Sequence, residues 1–240
     1  MADPLHQFTI TPLVELQVGS VNASFTNSAL FMAATVAVVA GILIFGMRER
    51  ALVPGRLQSV AELSYEFIAS MVRDNVGNAG RAYFPFIFSL FMFILFGNLL
   101  GLLPYAFTFT SHIIVTFAMA MMVFVGVTVL GFVKHGPKFL TFFVPSGVPA
   151  VMLPLLVPIE IISYLSRPVS LSIRLFANMT AGHTMMKVFA GFVVPLGVFG
   201  LLPLTVDVVL TGFELLVAFL QAYVFAVLTC IYLNDAIHLH

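Results

Sequence analysis

The sequence predicts an all-α integral membrane protein, and three observations carry that prediction. Hydrophobic residues occupy 61% and charged residues only 8% of the 240 positions, whereas soluble chains carry about 25% charged residues. Runs of about eighteen or more mainly apolar residues recur, the length a helix needs to cross a bilayer. Bundle helices account for such runs and barrel strands do not. The Phe residues supply packing bulk, while six Tyr and no Trp leave a modest interfacial belt.

The same composition excludes several function classes. Net charge is zero and no dense Lys/Arg cluster occurs, so nucleic acid is not an expected partner. Cys230 is the single cysteine, which rules out an internal disulfide or a CxxC redox pair. No GxxxxGK loop, HExxH pair or Gly-x-Ser-x-Gly elbow is present, so no cofactor, metal site or hydrolytic chemistry is expected and the chain is not read as an enzyme. Met121 with Met122, and Met185 with Met186, lack metal-ligand spacing and read as packing.

Residues 1–28 are polar enough to form an external segment. The first membrane helix, 29–47, is followed by Arg48, Arg50 and Arg56 and preceded by no Lys or Arg. That is the reverse of a secretory signal, so it reads as a retained helix with its amino end outside. Residues 52–76 form an amphipathic helix expected on the cytoplasmic surface: Leu57, Val60, Ala61, Ser64, Phe67, Ile68 and Met71 share one face, and Glu62, Glu66 and Arg73 another. The second span, 84–104, runs outward and holds Gly97 and Gly101 at GxxxG spacing, which lets two helices approach closely, with Asn98 beside them as an interhelical hydrogen bonder. Residues 105–111 read as a short uncharged external loop. The third span, 112–133, returns to Lys134, His135 and Lys138, so seven Lys/Arg (Arg48, Arg50, Arg56, Arg73, Arg81, Lys134, Lys138) fall on one side.

The last hundred residues resist division into ordinary spans. A vertical helix needs about 20 residues, and the segments 146–189 and 193–233 are each about twice that. Pro149, Pro154, Pro158 and Pro168 bend the first, and Gly191, Pro195, Gly197, Gly200 and Pro203 break the chain between the two. Hydropathy alone permits four short spans or two long tilted helices. Residues 234–240 form a tail expected in the cytoplasm.

The polar residues inside these segments carry the chemistry. Arg174 cannot deprotonate, and an ionisable group at membrane depth costs about 2.5–3.5 kcal/mol or more, so burial is not its purpose. At 100° per residue, Glu160, Arg174 and Asn178 lie within about 40° of one another, and Glu160 lies about 21 Å along the axis from Arg174. That gap argues against a direct ion pair. His183 falls on the opposite face, at roughly 180°. On the following helix Asp207, Glu214 and Gln221 are seven residues apart and drift only about 20° per step, a single stripe with Thr211 alongside. Placed against His183, the stripe puts Asp207, Glu214 and His183 in a hydrated cleft open to the outside. A carboxylate with a histidine supplies proton stations near neutral pH. Arg174 lowers the proton affinity of any carboxylate beside it and bars direct proton flow between two clefts. Such a pair of half-paths would deliver protons only through a mobile carboxylate, and this chain offers no obvious one. In the plainer readings Glu214 and His183 satisfy each other, Gln221 is a hydrogen bonder near Arg174, Lys187 snorkels, Arg167 snorkels or holds a loop, and Asp235, His238 and His240 are solvated.

Arg174, Leu175, Phe176, Ala177 and Asn178 with Gly182 and His183, preceded by Arg167, Pro168 and Ser170, with Glu160 upstream, the run from Asn98 to Pro104, and Glu214 with Gln221 downstream, stand together in an order that resembles subunit a of F-type ATP synthases. The resemblance covers the chain from about residue 52 onward. It implies the tilted hairpin for 146–189 and 193–233, hence about five membrane helices plus the surface helix, with the amino end outside and the carboxyl end in the cytoplasm. It also implies a non-catalytic stator: H⁺ would reach a carboxylate on each subunit of a rotating c-ring through Asp207, Glu214 and His183, and leave towards Glu160, with Arg174 between. Peripheral-stalk b subunits would meet the surface helix, and membrane lipid would surround the rest. Some bacterial members carry Glu where this chain has His183 and His where it has Glu214; the exchange preserves an acid and an imidazole in one cleft. A bacterial inner membrane is the expected location, with the mitochondrial inner membrane as the alternative. The competing function is a stand-alone proton-coupled transporter, against which stands the absence of a visible inverted repeat.

Overall fold

A computed structural model describes residues 9–15, 17–18, 21–22, 24–48, 54–103, 106–144 and 150–238. Arg50, Pro104, Tyr105, Pro149, His240 and the first eight residues of the expected external segment lie outside the described residues, as do residues 52–53 and 146–148 at the starts of two expected helices.

The polar N-terminal segment holds the only described strands. β1 (Pro12–Val14) pairs antiparallel with β4 (Phe25–Thr26), and between them β2 (Gln17–Val18) pairs with β3 (Val21–Asn22). Asn27 ties this small structure to the first helix: its amide donates to the Thr9 carbonyl at 3.1 Å, and its side-chain oxygen accepts from the Thr11 N–H at 3.3 Å. The Thr26 hydroxyl accepts from the Ala29 N–H and so caps α1 (Asn27–Gly46). α1 is apolar on every side and has few buried residues, as suits a helix facing lipid over most of its surface.

α2 (Arg56–Val76) is amphipathic, but its buried face is rotated from the expected one. Ala61, Ile68 and Met71 are buried together with Val72 and Val76, while Leu57, Val60 and Phe67 stay exposed and Glu62, Glu66 and Arg73 face away from the core. Phe67 nonetheless reaches the rings of Phe91, Phe219 and Tyr223, each about 5.8 Å away, joining α2 to segments far along the chain. A 3-10 stretch, Gly77–Tyr83, leads into α3 (Phe84–Gly101).

The segment expected as a short uncharged loop is buried at Phe107, Thr108, Phe109, Thr110 and Ser111, so it forms a plug against the bundle. The two glycines of the GxxxG spacing receive it: the Phe109 ring lies against Gly97 and the Thr108 side chain against Gly101, where a Cβ on either glycine would collide. The spacing thus admits a loop and not a second helix. Asn98 does bond between helices, donating to the Ala218 carbonyl at 3.3 Å.

α4 (Ile113–His135) ends at Gly136, whose φ of 59° reverses the chain into a 3-10 stretch, Gly136–Phe143. The final segment forms two long helices, α5 (Leu153–Val193, 41 residues) and α6 (Leu201–Ile237, 37 residues), packed as a hairpin. Pro158 and Pro168 are accommodated inside α5 and do not divide it. At 1.5 Å per residue α5 is about 60 Å long, twice the roughly 30 Å hydrocarbon thickness, so it stays within a membrane only if steeply tilted, near 60° from the normal. The turn contains Gly197 at φ 55°, and Gly200 packs against the Val193 carbonyl. α6 runs on to Ile237, absorbing Asn234 and Asp235 that were expected in a tail.

The core lies where α3, α4 and α5 pack against α6. Ala218, Ala222 and Ala226, all fully buried and four residues apart, remove bulk from one stripe of α6. Ile87, Phe91 and Ile94 of α3 and Leu171, Leu175 and Met179 of α5 belong to the same cluster. Cys230 is buried there as a small apolar side chain.

Candidate functional site

Seven of the intramembrane polar positions singled out above sit on the α5–α6 hairpin, and they divide into a half near its turn, a middle and an open half.

In the turn half, His183 and Glu214 are buried, at 6% and 4% exposure, and Asp207 is partly buried. The Glu214 carboxylate rests on Gly182, where any Cβ would overlap it. The missing side chain of Gly182 is what lets an acid of α6 lie flat on α5, one residue from His183. Among the described residues no hydrogen bond or ion pair joins His183 to Glu214, so the two do not simply satisfy each other. His183 is held by Thr108, whose hydroxyl oxygen is 3.1 Å from Nε2 and whose proton goes to the Gly101 carbonyl at 3.2 Å. With that proton committed, the imidazole is the donor through Nε2–H, and Nδ1 is left as the proton-accepting atom. Thr211 donates to the Asp207 carbonyl at 2.9 Å.

Several buried polar atoms here lack a protein partner. They are Glu214 Oε1, Asp207 Oδ1, Asn98 Oδ1, Thr110 Oγ1 and His112 Nε2. Buried groups of this kind are normally satisfied by water, and these five lie on the plug, on α3 and on the turn half of α6.

In the middle, Arg174 is exposed on α5, pointing away from the core. Among the described residues it makes no ion pair. Ser163, Ser170, Ala177 and Ala181 share its exposed face within about 60°, so the guanidinium stands on a smooth strip that another helix can approach closely. Asn178 is partly exposed beside it. Gln221 is buried on α6 and makes no hydrogen bond to Arg174.

In the open half, Glu160 is partly exposed on the Arg174 face, without an ion pair among the described residues. Arg167 is the surprise. Its Nη1 donates to Asp235 Oδ2 at 2.9 Å, and its guanidinium carbon lies 4.8, 5.1 and 5.7 Å from the ring centroids of Tyr232, Tyr164 and Phe142. Tyr164 shares a 2.7 Å hydrogen bond with Thr128 of α4, and His135 at the end of α4 bonds the Ile237 carbonyl. The expectation for Arg167 is snorkelling or holding a loop, and for Asp235 a solvated end; instead the two pair across the hairpin because α6 continues far enough to bring Asp235 alongside. The heptad spacing of Arg167 to Arg174 was a usable signal for placing Arg167 on the polar face. Nothing in the local sequence signals Thr108, which reaches His183 only because two glycines of α3 admit the plug.

The family profile described as ATP synthase A chain matches residues 29–234. The chain is similar to proteins named ATP synthase subunit a from Parvibaculum lavamentivorans (61% identical, covering 98% of this chain and 94% of that protein), from Chelativorans sp. (62%, 98% and 98%) and from Rhizobium etli (62%, 98% and 97%).

Proposed function

The chain belongs to the ATP synthase A chain family, and on that premise we propose that it is the stationary proton-conducting subunit of an F-type ATP synthase in a bacterial inner membrane, its amino end outside and its carboxyl end in the cytoplasm. It carries no catalytic site of its own; ATP chemistry belongs to other subunits. Its partners are a c-ring, which runs along the exposed face of α5, and the b subunits of the peripheral stalk, which meet α2.

The observation that carries this reading is Arg174: a permanent cation on the outer face of a membrane helix, without an acid to pair with among the described residues, on a strip of small side chains. A cation so placed needs a carboxylate from another chain. The proton enters through the polar lining of Asp207, Glu214 and His183, taken up at Nδ1 of His183 or at the free Oε1 of Glu214, and passes to a ring carboxylate. That carboxylate, neutral, can face lipid. After nearly a full turn it releases the proton towards Glu160, because Arg174 favours its ionised form. Asn178 and Gln221 flank the crossing and keep it polar. The membrane potential contributes about 2.3 kcal/mol per charge per 100 mV, so each ATP requires several protons.

Arg174→Ala tests the reading in membrane vesicles energised by respiration. Coupled ATP synthesis is expected to disappear while passive proton leak persists; normal synthesis would overturn the role. Purification in mild detergent tests the assembly: a ring of small hairpin subunits should accompany the chain, whereas a lone monomer moving a solute would favour a stand-alone transporter.

A further inference from the structure

We propose that Asp235 acts as the counter-charge that keeps the second arginine of α5 from blocking the cytoplasmic half-path. The inference rests on the half-path reading above and adds residues that reading does not use. Glu160, Arg167 and Arg174 recur every seven residues, each about 10.5 Å and 20° from the next, so Arg167 lies on the route between the crossing and the exit. A bare guanidinium there would repel every proton leaving the ring carboxylate and would compete with Arg174 for that carboxylate. The geometry prevents both. Asp235 takes one N–H of Arg167 at 2.9 Å, with both side chains only about a quarter exposed (24% and 26%). Three electron-rich ring faces, those of Tyr232, Tyr164 and Phe142, fix the guanidinium in place. The Tyr164 hydroxyl is itself anchored on Thr128, so α4, α5 and α6 all hold the arrangement.

A simple staple between α5 and α6 would need the two partners equally. Charge compensation is asymmetric: losing the acid exposes a cation on the route, whereas losing both groups restores neutrality.

The test uses the whole synthase in inverted vesicles, with passive proton conductance measured after the soluble sector is removed and the amount of assembled membrane sector measured in parallel. Asp235→Asn should lower conductance per assembled complex roughly tenfold. Arg167→Gln should stay within about twofold of wild type, and the double variant Arg167→Gln/Asp235→Asn should recover most of the loss. Unchanged conductance in Asp235→Asn, or an equal loss in both single variants without recovery in the double, overturns the proposal. If Asp235→Asn does not accumulate, the double variant carries the test alone: near-normal conductance supports the proposal and a tenfold loss overturns it. Arg174→Ala is run alongside. If it abolishes coupled synthesis while Asp235→Asn is silent, only this inference fails; if it too is silent, the half-path reading itself fails.

Discussion

Two arginines one heptad apart on the same face of α5 have opposite surroundings. Arg167 has a carboxylate at 2.9 Å and three rings around it; Arg174 has no ion pair among the described residues and stands on a strip of Ser and Ala. The residue type, the helix and the face are the same. What differs is α6, which passes beside Arg167 near its carboxyl end and offers Arg174 no acid. A cation in a membrane helix is therefore not by itself a statement of function. Arg167 has its charge answered within the chain, whereas Arg174 has no acid paired with it among the described residues.

Substitutions can break that contrast or sharpen it. The largest difference is expected between Arg174→Ala, which should lower coupled ATP synthesis by roughly hundredfold or more, and Arg167→Gln, which should leave it within about twofold; equal losses in the same assay would erase the contrast. Next comes Gly182→Ala. Its methyl group would displace the Glu214 carboxylate from α5, and proton conductance should fall about tenfold, with partial recovery when Glu214→Asp shortens the acid. A smaller effect follows for Thr108→Val, which leaves the His183 Nε2–H and the Gly101 carbonyl without their partner; about 1–3 kcal/mol of stability should be lost for each group so stranded, read from thermal unfolding in detergent. Tyr164→Phe removes one hydrogen bond to Thr128 but keeps the ring over Arg167, and should cost about 1 kcal/mol with conductance unchanged. Loss of conductance in Tyr164→Phe would mean that the hydroxyl, and not the ring, governs Arg167.

The amount of this that could be read beforehand follows the range of the interactions. Membrane helices, the amphipathic stretch and the stripe of Asp207, Glu214 and Gln221 depend on spacing within one segment, which is written into the residues directly. Hydropathy left the final hundred residues open between two helices and four; the continuous α5, with Pro158 and Pro168 inside it, resolves that. The buried face of α2 lies about a sixth of a turn from the one its hydrophobic pattern points to, because Val72 and Val76 are chosen by what packs on them and not by their own pattern. The plug at 106–112 looked like a loop because Thr108, Thr110 and Ser111 are polar; two glycines seven to twelve residues earlier decided its depth. The Arg167–Asp235 pair spans 68 residues, and no local rule reaches that far.

The length of α5 has a further consequence. A rod twice as long as the oily layer is thick turns depth into breadth: at a tilt near 60°, the roughly 21 Å between Glu160 and Arg174 becomes about 10 Å of height and about 18 Å of sideways travel. An ion moving between those two levels is displaced mostly in the plane of the sheet. Positions along the rod are therefore separated more sideways than in depth: each heptad of α5 carries a side chain about 9 Å across the layer for about 5 Å through it.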